Sequence, residues 1–201
     1  MNDRHADSTN LFALVTYAPE PLQNWLQQLR EELHLPASSE PHITILPPRP
    51  LTVPVDQARE QITELLASWR SFDVELTSVR MFDGTNVLYL EVGDGNQTLR
   101  DLHSRLNSGD FAHEEIYPFH PHVTIGGPIE GASGPEALRY ARQAWDANLP
   151  CSRQLAIREV AFVSIAASDP GGDWQRLWAH TLRTRKRLTR KARAKAVSQT
   201  S

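Results

Sequence analysis

Two five-residue segments of the chain share one pattern of proline, histidine, an apolar residue, threonine and isoleucine. They read Pro-His-Ile-Thr-Ile over residues 41–45 and Pro-His-Val-Thr-Ile over residues 121–125. Alternate side chains of a β-strand share a face, so the histidine and the threonine of each segment would point the same way. Cleavage of a phosphodiester needs a base, an acid and donors for the phosphate oxygens. Two imidazoles and two hydroxyls can supply all of these without a metal ion.

The residues that would carry this chemistry are His42 with Thr44 and His122 with Thr124. An imidazole has a reference pKa near 6.5, so one ring can be neutral while the other is protonated near neutral pH. One such motif alone is weak evidence, because a single histidine in a strand is more often structural than catalytic. Two copies within matching surroundings favour a shared site.

The segments around the two motifs predict the same order of elements twice. Before the first motif, a β-rich run over 11–17 precedes a helical pattern over 22–33. Before the second, a strand over 87–92 precedes a helix that Asn96 could cap, with Leu99, Leu102 and Leu106 on one face. Two halves of this kind commonly pack about a pseudo-twofold axis, which would bring the motifs to one cleft.

The segments after the two motifs also correspond. A helix with apolar residues from Ala58 to Trp69 and a strand over 72–76 follow the first motif. A helix over 138–149 and strands over 155–165 follow the second, and a last strand is expected at about 174–182. Each half is therefore predicted to be strand, helix, histidine-bearing strand, helix, strand.

The sequence resembles the 2H phosphoesterase superfamily, in its 2′-5′ RNA ligase and RNA 2′,3′-cyclic phosphodiesterase branch. The resemblance lies in the paired His-x-Thr motifs, their 80-residue separation and the Phe-x-Pro-His-Val-Thr-Ile-Gly form of the second motif at 119–126. It covers residues 10–183. It implies one bilobal α+β domain, with two pseudo-twofold-related lobes of antiparallel sheet and helix around a central cleft. The implied chemistry needs no metal or cofactor, and the implied substrates are RNA 3′ ends or small cyclic or 2′-linked nucleotides.

The resemblance also implies individual roles. His42 would protonate the leaving oxygen, His122 would activate water, and Thr44 and Thr124 would hold the phosphate. A site this close to symmetric can run in either direction, so the two histidine roles can exchange.

Two further residues could contact the substrate. Arg49, in a proline-rich turn just past the first motif, could bind a phosphate with both arms of its guanidinium, or could be an ordinary surface arginine. Tyr117 could stack on a nucleobase, as aromatic residues of RNA sites often do, whereas Phe119 is better suited to core packing.

An alternative for the second motif is a zinc site. His120 and His122 could bind zinc together with His113 or Glu114. This alternative leaves the duplicate motif at His42 unexplained, which favours the metal-free interpretation.

Composition bounds the remaining expectations. A hydrophobic content of 40%, with 14 prolines and 10 glycines, is typical of a soluble globular protein. The polar N-terminus, the absence of a long apolar run and the single Cys151 predict a cytoplasmic protein without a signal peptide, membrane span or disulfide. The predicted oligomeric state is a monomer.

Basic residues concentrate at the C-terminus although the net charge is −3. Residues 184–201 are predicted to form a disordered basic tail, which either contacts an RNA backbone or only aids solubility. The basic residues of this stretch, which contains no acidic residue, are Arg183, Arg185, Lys186, Arg187, Arg190, Lys191, Arg193 and Lys195.

Three functions agree with these observations. The first is hydrolysis of a 2′,3′-cyclic phosphate or a 2′-5′ linkage by the two histidines. The second is 2′-5′ ligation of RNA, which is the reverse transesterification at the same residues. The third is an RNA-binding or nucleotide-binding module that does not turn over, for which we expect tight, salt-sensitive binding.

Overall fold

The computed structural model describes residues 10–35, 39–129, 131, 133–147, 153–166 and 174–184. Within this part the chain forms an α+β fold, in agreement with the predicted class. A single antiparallel sheet lies against α-helices. Its strands are Asn10–Tyr17 (β1), His42–Arg49 (β2), Phe72–Met81 (β3), Leu88–Val92 (β4), His122–Gly126 (β5), Gln154–Ile157 (β6), Glu159–Ala166 (β7) and Gln175–Thr181 (β8).

The helices follow the strands in the predicted order, and each buries one apolar stripe. Their bounds are Leu22–Glu32 (α1), Val55–Leu66 (α2), Asn96–Leu106 (α3) and Ser133–Ala147 (α4). Helix α1 buries Leu22, Leu26 and Leu29, which recur at helical spacing. Helix α3 begins differently from the prediction: its N-cap is Gly95 in the left-handed region, and the Asn96 side chain instead donates to the Val92 carbonyl.

The order of strands across the sheet is β6-β3-β4-β5-β2-β1-β7-β8. The two histidine-bearing strands, β2 and β5, are therefore central neighbours. The order reads equivalently from either side of them, since β1 corresponds to β4, β3 to β7 and β8 to β6. The predicted pseudo-twofold arrangement of two lobes is thus present.

The two halves also exchange a strand, which the sequence pattern did not predict. Strand β3 belongs to the first half of the chain but pairs with β4 of the second. Strand β7 belongs to the second half but pairs with β1 of the first. One apolar core, between the sheet and the helices, accordingly contains residues of both halves.

Several expectations lie beyond what the structure describes. Residues 185–201 of the basic tail and the glycine-rich turn over 169–173 are outside the described residues. No helix in the described part of the chain is long and apolar enough to cross a membrane.

Candidate active site

The two motifs meet at the centre of the sheet. Strands β2 and β5 run antiparallel, with Ile43 opposite Val123. Both of these side chains are fully buried in the core. Because side chains alternate between faces, the flanking histidines and threonines lie on the other face of the sheet.

The register places each histidine beside the threonine of the other motif. His42 is opposite Thr124, and Thr44 is opposite His122, one position on either side of the Ile43–Val123 pair. The two histidines are then diagonal neighbours, a relation that typically separates residues by about 7–8 Å across an antiparallel pair. The four residues form one cluster with the imidazoles at opposite corners.

Both imidazoles are held in the same way. The Nδ1 atom of His42 lies 2.7 Å from the Glu40 carbonyl oxygen, and that of His122 lies 2.6 Å from the His120 carbonyl oxygen. A carbonyl oxygen only accepts, so each Nδ1 must donate. The proton of each neutral ring is therefore on Nδ1, and Nε2 keeps a lone pair for chemistry.

The outer neighbours of the two histidines differ. On the β1 side, Tyr17 lies opposite His42 in an edge-on ring contact at 6.2 Å, and the Trp174 ring lies 4.5 Å away. On the β4 side, Glu91 lies opposite His122 and pairs with Arg80. The near-symmetric site thus has a neutral aromatic flank and a flank that bears a carboxylate.

Burial lowers the pKa of both histidines. For His42 the pKa falls from 6.5 to about 4, chiefly because burial disfavours the charged ring. Its hydrogen bond to the Glu40 carbonyl opposes the shift, while Arg30 and His122 add to it. The pKa of His122 is also lowered, again mainly by burial and against the hydrogen bond to His120.

Acidification from pH 7 to pH 5 should lower the free energy of unfolding. Between 6.5 and about 4 the unfolded chain binds a proton at His42 that the folded protein does not bind. This stabilisation is present above the unfolded pKa and is lost as pH falls toward the folded one. Urea unfolding at pH 7, 6 and 5 measures it, and His42→Gln should flatten the dependence. An equal pH slope in the wild type and the variant would contradict the shift.

A cleft of about 650 Å³ opens on one side of the cluster. Tyr117 lies in its wall with 71% of its surface exposed, and the adjacent Ile116 is 91% exposed. Thr44 and His122 border the cleft, whereas His42 and Thr124 are not among its lining residues. The lining residues, which include carboxylates but no lysine or arginine, are Thr44, Pro47, Pro48, Phe82, Asp83, Thr85, His113, Glu114, Glu115, Ile116, Tyr117, Pro118, Phe119, His120 and His122.

The expected phosphate contact of Arg49 is not supported by its position. The side chain is buried, and its guanidinium donates to the Asn107 side chain, the Phe111 carbonyl and the Glu115 carboxylate, the last at 2.7 Å. Its Nε donates to the Pro47 carbonyl. Arg49 ends β2 on the buried side and binds the segment before β5 to the fold, so these four acceptors replace a phosphate.

A second buried group supports the same wall. His103 of α3 stacks on Phe119 at 3.9 Å, and its Nδ1 lies 2.9 Å from the Ile45 carbonyl. Its Nε2 is 3.6 Å from the Glu115 carboxylate that Arg49 also binds. The sequence pattern indicates no role for His103, and the structure places it between the first motif and the cleft wall.

Arg30 of α1 is the counterpart of His103 on the other side of the axis. It is 3% exposed, and it donates to the carbonyls of Thr124 and Ile125 at 3.0 and 2.6 Å and to that of Ser39 at 3.2 Å. Among the described residues no carboxylate lies within 4 Å of its guanidinium. Sequence analysis missed this residue.

The residues of the alternative zinc site do not converge. His113, Glu114, His120 and His122 all border the cleft, yet the described part of the chain holds no group of three or more histidine, cysteine, aspartate or glutamate residues placed to bind a metal ion. His120 packs edge-on against Phe82, and its buried Nε2 has no partner among the described residues.

The fold and the paired motifs define a 2H phosphoesterase. The family model of the 2′-5′ RNA ligase superfamily matches residues 18–169, and the chain belongs to this superfamily.

Related bacterial proteins carry phosphoesterase names. A protein of Geobacillus kaustophilus named "Putative phosphoesterase" is 27% identical over 130 residues, which cover 60% of this chain and 71% of that protein. A protein of the same description from Oceanobacillus iheyensis is 24% identical, over 59% of this chain and 71% of its own length.

Solved structures share the fold. E. coli LigT in complex with 3′-AMP aligns with a TM-score of 0.57 at 18% identity, covering 87% of this chain and 99% of LigT. A protein of Thermus thermophilus aligns with the same TM-score at 15% identity, covering 87% of this chain and 98% of its own.

Proposed function

We propose that this protein is a metal-independent phosphodiesterase that hydrolyses 2′,3′-cyclic phosphates or 2′-5′ phosphodiester bonds in RNA ends or small nucleotides. The observation that carries the proposal is the diagonal pair of histidines, each with Nδ1 fixed by a backbone carbonyl and Nε2 left for proton transfer. Each is flanked by the threonine of the other motif.

The reaction needs two proton transfers on opposite sides of a phosphorus atom. One imidazole takes a proton from the attacking water through its Nε2 lone pair. The other, in its imidazolium form, gives a proton to the leaving ribose oxygen as the P–O bond breaks. The hydroxyls of Thr44 and Thr124 lie between the rings in the register and can donate to the remaining phosphate oxygens.

The cleft beside this cluster supports a nucleotide substrate. Its walls are formed largely by proline and aromatic side chains, and Tyr117 is exposed enough to stack on a base. E. coli LigT, which shares the fold, has been solved with 3′-AMP and with NADP+. A nucleoside carrying a cyclic phosphate would place its base in the cleft and its phosphate between the histidines.

Product analysis tests the proposal. Purified protein in EDTA should convert a short RNA that ends in a 2′,3′-cyclic phosphate into one that ends in a phosphate monoester, as resolved by chromatography and phosphorus NMR. A 5′-hydroxyl RNA included in the same reaction reports on ligation, because a joined product would appear as a longer strand. The protein with both His42 and His122 replaced by alanine is the control. Binding of the cyclic end without turnover by the wild type would favour a binding module instead.

A further inference from the structure

We infer that the two histidines divide the reaction in one fixed direction, with His122 protonating the leaving oxygen of the nucleoside and His42 activating the attacking water. The inference rests on the proposed function and names the orientation of the substrate in that site. It is the reverse of the assignment that the family resemblance implies.

The position of the cleft is the first observation. An in-line displacement places the attacking and leaving oxygens on opposite sides of phosphorus, so the acid must lie on the side of the leaving group. In a cyclic phosphate the leaving oxygen belongs to the ribose. The cleft that would hold the nucleoside is bordered by Thr44 and His122, and neither His42 nor Thr124 lines it.

The charges around His122 are the second observation. Glu91 lies opposite it on β4, and Asp83 and Glu114 line the cleft. Carboxylates near an imidazole favour its protonated form. The other charged or titratable groups on this side are His120 and Arg80, the latter bound to Glu91. A leaving nucleoside is uncharged in its base and tolerates this acidic wall, whereas a second phosphate would be repelled.

The charge behind His42 is the third observation. Arg30 lies under the opposite corner of the cluster, bound to the carbonyl of Thr124, which is the partner of His42 in the register. Helix α1 carries Leu26, Leu29 and Arg30 where α3 carries Leu99, Leu102 and His103, so Arg30 and His103 are equivalent positions.

The two equivalent positions differ in charge. Arg30 donates to the Ile125 carbonyl, and the Nδ1 of His103 is bonded to the matching Ile45 carbonyl. His103 has the carboxylate of Glu115 beside it, whereas Arg30 has none among the described residues. A cation therefore lies behind one corner of the site and a carboxylate behind the other.

A buried cation disfavours a second positive charge nearby, so His42 is kept neutral and able to accept a proton. The lowered pKa of His42, to which Arg30 contributes, agrees with this. Other groups near His42 are Tyr17 and Glu40, which supplies its carbonyl, with Arg176 close to Tyr17.

The step balances as follows for a cyclic phosphate. A water oxygen bonds to phosphorus, and its proton passes to Nε2 of His42. The bond from phosphorus to one ribose oxygen breaks, and that oxygen takes the proton of Nε2 from protonated His122. The products are a nucleoside phosphate monoester, protonated His42 and neutral His122, and exchange with solvent restores the starting state.

A change of leaving group tests the direction. The substrates are uridine 2′,3′-cyclic phosphate, whose alkoxide must be protonated, and thymidine 3′-(4-nitrophenyl phosphate), whose nitrophenolate leaves without a proton. On the cyclic phosphate, His42→Ala and His122→Ala should each lose about 10²- to 10⁴-fold in turnover. On the nitrophenyl ester, His122→Ala should remain within about tenfold of the wild type, while His42→Ala should stay reduced by about 10²-fold or more.

Recovery of His42→Ala, or equal recovery of both variants, would overturn the inference while leaving the proposed function intact. If neither substitution slowed hydrolysis of the cyclic phosphate, the proposed function itself would fail. His42→Gln and His122→Gln repeat the comparison with side chains of more similar size, and circular dichroism checks that each variant is folded.

Arg30 gives an independent measurement. In Arg30→Met the acidic limb of the pH profile of kcat/KM, which reports the free-enzyme base, should move to higher pH, and Arg30→Lys should restore part of the shift. Arg142→Met is the matched control, because Arg142 also donates from a helix to a strand carbonyl, that of Val79 on β3, away from the two histidines. An acidic limb that stays in place in Arg30→Met would show that Arg30 only supports the backbone.

Discussion

His42→Ala and His122→Ala should each lower kcat/KM for a 2′,3′-cyclic nucleotide by about 10²- to 10⁴-fold. Each imidazole is held by one carbonyl at Nδ1 and faces the other motif across the Ile43–Val123 pair. No neighbour among the described residues can take over a proton transfer from that position. Steady-state rates at several pH values measure the loss, and the double variant should lose less than the product of the two single losses, because the two groups act in one step.

A matched control separates chemistry from folding. His180 lies in β8 and makes none of the contacts described for the site, so His180→Ala should retain nearly full activity. Thr44→Val keeps the shape of its side chain and removes only the hydroxyl, so a loss smaller than that of the histidine variants is expected there. Full activity in either histidine variant would be incompatible with the proposed mechanism.

Arg49→Leu should destabilise the protein by about 3–5 kcal/mol, because it would leave the carboxylate of Glu115 largely buried without its cation. The Arg49 side chain is 2% exposed and that of Glu115 is 14% exposed, and their atoms are 2.7 Å apart. Urea unfolding at pH 7 gives the free energy. Replacing both residues by leucine should cost less than Arg49→Leu alone, since no uncompensated charge remains.

The chain offers a matched ion pair for comparison. Arg176 and Glu159 are also 2.7 Å apart, but their side chains are 48% and 42% exposed. Arg176→Leu should therefore change the free energy of unfolding by at most about 1 kcal/mol. If both arginine variants lost the same small amount, Arg49 would not hold the segment before β5 in place.

Much of the central site can be predicted from sequence because it depends on local pattern. The His-x-Thr spacing fixes which side chains share a face of a strand, and the repeat of the whole strand and helix order indicates that two such strands meet. The family to which the chain belongs agrees with that interpretation. Tyr117 is accessible, as a residue that stacks on a base must be.

The remainder depends on contacts between distant segments. Arg49 follows a motif and two prolines, as a surface arginine would, and only the fold brings Asn107, Phe111 and Glu115 around it. Arg30 and His103 could have been found by aligning the repeated helices, since each follows a pair of buried leucines at the same spacing. Their carbonyl partners, however, lie on a strand of the opposite half.

The exchange of β3 and β7 between the halves has a consequence for how the chain is made. Strand β1 needs β7 as its second neighbour, and the pair joins Leu14 to Phe162, near the two ends of the described chain. The lobe that begins first during synthesis is therefore completed last, after nearly all of the other lobe has left the ribosome. Neither half can close its own sheet, so a chain interrupted between Met81 and Leu88 would yield two fragments that depend on each other for folding.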